Sequence, residues 1–133
     1  MSQHSVHLIG GADEETATIT TDERDELCHV TFQYRGRSLS ASAEDFFEAL
    51  AQVRVQLEPD HLMPFCYGAS LNVFPSGMSR SMGSGLKAYR LTMGRQALTK
   101  DLVSIFDSGP DVIPASVARQ KEYFDDWIAS LKA

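Results

Sequence analysis

The sequence predicts an α+β fold: a predominantly antiparallel sheet of about five to seven strands with two helices, one mid-chain and one C-terminal. Three observations carry this reading. Apolar and polar residues alternate over 28–34 and again over 65–74, apolar residues recur at helical spacing between Phe46 and Leu57, and Gly-, Pro- or acid-rich turns separate these runs. With 133 residues the chain suits a single domain, 1–133, large enough to bury a core without disulfide staples and too short for two.

The first strand is expected at 6–9, closed by Gly10-Gly11, and the second at 17–21, where Thr and Ile favour extended backbone. Val30, Phe32 and Tyr34 share one face of a third strand, and Arg35-Gly36 turns it into a fourth at 37–41. Ser42 is the expected N-cap of the first helix, with Asp45 as a weaker capping-box acid. That helix aligns Phe46, Leu50, Val53 and Leu57 for packing, leaves Glu44 and Glu48 near solvent, and stops at Pro59. Strict alternation from Phe65 to Phe74 predicts one long strand, bulged near Gly68, whose antiparallel partner is 86–93.

Residues 75–85, PSGMSRSMGSG, join these two as a loop too poor in large side chains to define a rigid packing. Residues 101–106 fit either an edge strand or a helical turn. Pro114 and Ser116 introduce the last helix, where Val117, Phe124, Trp127, Ile128 and Leu131 form the packing stripe and Asp125 and Asp126 face outward. The N-terminal stretch has neither a basic leader nor a long apolar run, and the two cysteines, Cys28 and Cys66, read as reduced thiols. A cytoplasmic location without membrane attachment is the expectation.

Charge bounds the partner class. The net charge of −6 disfavours nucleic acid, which needs a concentrated basic surface. Residues 61–100 nevertheless hold Arg80, Lys87, Arg90, Arg95 and Lys100 and no acid, so the rest of the chain sets 18 acids against seven bases. The densest single-sign cluster is Asp13, Glu14, Glu15, Asp22, Glu23 and Glu26, expected to form one exposed acidic face that steers a basic protein partner. Arg80, at the tip of the Gly/Ser-rich loop, is the second candidate contact.

Chemistry has less support. Ser79, Arg80, Ser81 and Lys87 would hold an anion if the loop amides converged with them, but the segment is neither a Walker motif nor a dinucleotide fingerprint. A hydrolase would need Cys66 or Ser70 to meet His29 or His61, and no spacing selects that pairing. His4 is expected in a frayed terminus, the Cys and His residues form no local metal-ligating pairs, and the acidic run lacks the ligand spacing of a calcium loop. Neither metal nor cofactor is expected. The leading expectation is a non-enzymatic protein-binding domain, of the type of a small acidic inhibitor or immunity protein that occludes a basic partner. The alternatives are a small-ligand or anion-binding domain using 75–87, with a hydrolase as its minor form, and a structural homodimer.

Overall fold

In the computed structural model, which describes residues 1–132, four strands follow one another as an antiparallel meander. They are β1 (Ser2–Ile9), β2 (Thr16–Arg24), β3 (Leu27–Tyr34) and β4 (Arg37–Ala43). A short strand, β5 (Met63–Phe65), pairs with the free side of β1, giving the order β4-β3-β2-β1-β5. Register follows the hydrophobic pattern, with Val30 opposite Ala41 and Phe32 opposite Leu39. Val6, Leu8, Ile19, Val30 and Phe32 are buried on the inner face, while Ser, Thr and Gln populate the outer one.

Two-residue turns link β2 to β3 and β3 to β4. Asp25 and Glu26 sit at φ 55° and 62°, and Arg35 and Gly36 at 51° and 71°, the left-handed pair whose twist matches that of the strands. β1 and β2 extend well beyond their apolar stretches because ladder hydrogen bonds need no apolar side chain. The terminus is not frayed: His4 stacks on Phe106 at 4.9 Å.

The first helix, α1 (Phe46–Leu57), lies against β3 and β4 with Phe46, Leu50, Val53 and Leu57 buried, as the spacing predicts. Its N-cap is Asp45, not Ser42. Asp45 is extended and its carboxylate accepts from the Glu48 amide at 2.8 Å, whereas Ser42 is a β4 residue bonded to the His29 ring. Pro59 falls in a 3-10 turn, Glu58–Asp60, that ends the helix.

The expected long strand over 65–74 does not form. β5 ends at Phe65, a 3-10 turn spans Tyr67–Ala69, and β6 (Val73–Phe74) belongs to a separate sheet. Cys66, Gly68, Ala69 and Ser70 are all buried, so what alternates in the sequence is a chain packed on both sides. A Cβ on Gly68 would stand 2.6 Å from Leu50 Cδ2, which makes glycine the residue that lets this turn close on α1.

The second sheet is β6-β7-β8, with β7 (Lys87–Arg90) shorter than expected and β8 (Leu102–Ser104) preceded by a 3-10 turn at Thr99–Asp101. Residues 101–106 thus contribute to both structures the sequence allowed. Between β6 and β7 stands a helix, α2 (Gly77–Met82), where a loose loop was expected; Ser76 caps it by accepting from the Ser79 amide. With α3 (Val117–Ser130) the described residues form three helices rather than two, and two sheets rather than one.

α3 is fastened by polar atoms more than by its apolar stripe. Ile128 and Leu131 are over one-third exposed, whereas Gln120 is buried and donates to the carbonyls of Gly68, Ser70 and Val73. Gln120 also accepts from Arg54 at 2.6 Å, and Arg54 donates further to the Gly68 and Ala115 carbonyls. Burial without a paired carboxylate pulls the Arg54 guanidinium down to about 10. Among the described residues no helix is long and apolar enough to cross a membrane.

Candidate functional site

The acids expected to form one face are split between the two ends of β2. Asp13, Glu14 and Glu15 lie in or beside the β1–β2 turn, whereas Asp22, Glu23 and Glu26 lie at the far end, beside the β2–β3 turn. A strand rising ~3.3 Å per residue holds these groups roughly 30 Å apart. The first group is partly spent on structure. Glu15 accepts from Arg35 at 2.6 Å and from the Ala12 amide at 2.9 Å, contacts that hold its carboxyl below the usual range.

At the far end, the fold adds acids that the sequence does not place beside 22–26. Glu44 and Asp45 follow β4 directly and Glu48 occupies the first turn of α1, so the register of β3 with β4 delivers them next to Glu26. Glu26, Glu44, Asp45 and Glu48 together with Ala43, Gln52 and three α2 residues line a cleft of about 800 Å³. Among the described residues Glu23, Asp25, Glu26, Glu44 and Glu48 make no ion pair.

Among the described residues Arg80 is the one cation lining the cleft, and it is already committed. Its Nη1 donates to Asp45 Oδ2 at 3.1 Å, and its guanidinium lies 5.2 Å and 5.3 Å from the ring centroids of Phe47 and Phe74. The chain closes behind this pair. The Phe46 amide donates to the Ser84 carbonyl at 2.7 Å, and Gly85, at φ 70°, lies so near that a Cβ there would be 2.7 Å from Asp45 Oδ1. Arg80 is therefore a buttress of the cleft wall and not an exposed loop-tip anchor. On the same helix, Met78 and Met82 are 71% and 82% exposed.

The other candidates do not converge. Ser79 bonds Ser76 within the α2 cap, Ser81 lines the cleft, and Lys87 reaches from β7 to Ser104 Oγ on β8 at 2.7 Å, so no anion cradle forms from the four. Cys66 and Ser70 are buried in the core, His61 is exposed, and His29 bonds Ser42 Oγ and the Arg24 carbonyl on the outer sheet face; the sequence-based nucleophile–base pairings are not made. Burial pushes the Cys66 thiol up to about 11, and both cysteines are free. Among the described residues no group of three or more His, Cys, Asp or Glu is placed to hold a metal ion.

The arrangement is thus a concave acidic surface backed by the Arg80–Asp45 pair. Among the described residues its lining sets four carboxylates, Glu26, Glu44, Asp45 and Glu48, against one guanidinium, that of Arg80. Comparison with known proteins finds no family model that matches the chain and no matching curated protein.

Proposed function

We propose that this chain is a non-enzymatic protein-binding domain of inhibitor type, which receives basic side chains of a partner protein between Glu26, Glu44 and Glu48. The observation that carries the reading is a cleft of about 800 Å³ lined by four carboxylates, whose one guanidinium is engaged by Asp45 and two aromatic rings. Unpaired like charges around a concavity focus the field and raise the capture rate of a cationic partner. Exposed Met78 and Met82 on the wall helix favour a protein over a simple cation, since methionine adapts to irregular apolar surface.

The left-handed β2–β3 turn supports the same reading. Asp25 and Glu26 hold backbone angles that Asn-Gly would adopt at less cost, and the turn built this way puts Glu26 on the cleft lining. A calorimetric titration with a hexa-arginine peptide at low and high salt tests the proposal. Exposed charge pairs contribute about 0.2–1 kcal/mol each, so the triple variant Glu26→Gln/Glu44→Gln/Glu48→Gln loses roughly 0.6–3 kcal/mol. Asp13→Asn/Glu14→Gln, at the opposite end, leaves the affinity unchanged. Equal losses in the two variants would reduce the effect to net charge and remove the cleft from the account.

A further inference from the structure

On the side of the molecule built from β7 and α3, a second cavity of about 330 Å³ opens between Phe74, Tyr89, Leu91, Phe124 and Trp127. None of its lining residues is charged, which sets it apart from the acidic cleft. Three of its rings form a ladder: Phe74 and Phe124 stack at 4.1 Å and 18°, and Phe124 and Trp127 lie 6.0 Å apart at 26°. The Trp127 indole N–H donates to the Thr92 and Arg95 carbonyls, which fixes the ring against the 92–95 turn. Near-parallel rings accept a flat guest edge-on or by offset stacking; they do not make the box that surrounds a quaternary ammonium.

A smaller hollow of about 100 Å³ adjoins at Gln96, which lines both, and is lined further by Arg90, Arg95 and Lys100. Arg90 is held by Asp111 at 3.0 Å, and Asp101, which also lines the hollow, accepts from the Leu98 amide at 2.9 Å through Oδ2. Arg95 and Lys100 are exposed and make no ion pair among the described residues. A third cation, Lys121, lies 5.2 Å from the Phe124 ring centroid but is paired with Asp125 at 2.8 Å. An uncharged aromatic cavity beside free cations complements a guest with a planar apolar body and an anionic end.

We propose that this cavity binds a small planar aromatic carboxylate, with its ring among Tyr89, Phe124 and Trp127 and its carboxylate directed to Arg95. Cavity size limits the guest to one or two fused rings, because pockets enclose most of a bound small ligand. Arg95 supplies a planar fork that matches a carboxylate, which an isolated ammonium does not. The cavity is separate from the acidic cleft, so this binding neither requires nor excludes capture of a basic partner there.

Trp127 is the sole tryptophan, so its indole N–H gives a single resonance to follow in proton–nitrogen correlation spectra. Titration with naphthoate should move that resonance saturably. Naphthylmethanol, which lacks the charge, and cyclohexanecarboxylate, which lacks the flat ring, should each bind about tenfold more weakly or worse. Exposed Arg95 can be changed without disturbing the core, and Arg95→Gln should reduce the naphthoate affinity to that of naphthylmethanol while leaving the latter as it was. No saturable shift with naphthoate, equal binding of cyclohexanecarboxylate, or an unchanged naphthoate affinity in Arg95→Gln would each overturn the proposal.

Discussion

Glu26→Gly separates what the β2–β3 turn contributes to stability from what it contributes to binding. Glu26 holds φ 62°, where a side chain bearing Cβ costs about 1–2 kcal/mol relative to its preferred conformations. Glycine removes that cost but gives the unfolded chain more freedom, which returns about 0.5–1 kcal/mol. The Glu26 side chain is exposed and makes no ion pair among the described residues, so little contact energy is lost. The net expectation is a gain of about 0.5–1 kcal/mol, read as a higher urea midpoint at unchanged m-value. Affinity for an arginine-rich peptide should meanwhile fall about two- to fivefold, the worth of one exposed charge pair. Glu14→Gly is the matched control: Glu14 has φ 60° at the opposite end of the sheet, so it should gain stability without losing binding. A lower midpoint for Glu26→Gly, or equal binding losses in the two variants, would refute the idea that this turn keeps strain for the sake of its charge.

Other perturbations probe the frame behind the cleft. Gln120→Leu keeps the volume but deletes four hydrogen bonds and leaves Arg54 short of an acceptor, so chemical denaturation should report a loss on the order of 3 kcal/mol. Gly68→Ala drives a methyl against Leu50 and Ile105 and should cost about 1–3 kcal/mol in the same assay. Cys66 makes stability depend on alkaline pH. Its folded value of about 11 lies above the ordinary 9.0, so the folded state keeps the proton longer; the stabilisation is complete below pH 9 and is lost as pH rises toward 11. The loss amounts to about 3 kcal/mol, and Cys66→Ala should remove that part of the slope in denaturation curves measured from pH 8 to 11.

The sequence was most legible where one periodicity met one buried face. The 28–41 hairpin and the Phe46–Leu57 stripe appear where the pattern puts them, because Val30, Phe32, Phe46 and Leu50 each have a single side to bury. It misled at 65–74, where small residues packed on both sides imitate strand alternation and a close approach to α1 turns the chain at Gly68. The loop at 75–85 hid α2 because a serine cap and an arginine–aspartate contact, rather than an apolar stripe, hold that helix in place. The acidic site was half legible. Residues 22–26 stood out as a cluster, but adjacency in sequence joined them to 13–15, from which an entire strand divides them, and their real neighbours Glu44, Asp45 and Glu48 arrive through the β3–β4 register. Gln120, the fastening of α3, carried no signal because a polar residue at helical spacing reads as surface.

Amide chemical-shift mapping during titration with a hexa-arginine peptide tests the central claim most directly. Binding at the cleft predicts saturable shifts confined to the β2–β3 turn, residues 43–48 and the wall helix at 77–81, all diminished together by salt. Shifts centred on residues 12–15, or spread evenly over every exposed carboxylate, would contradict it.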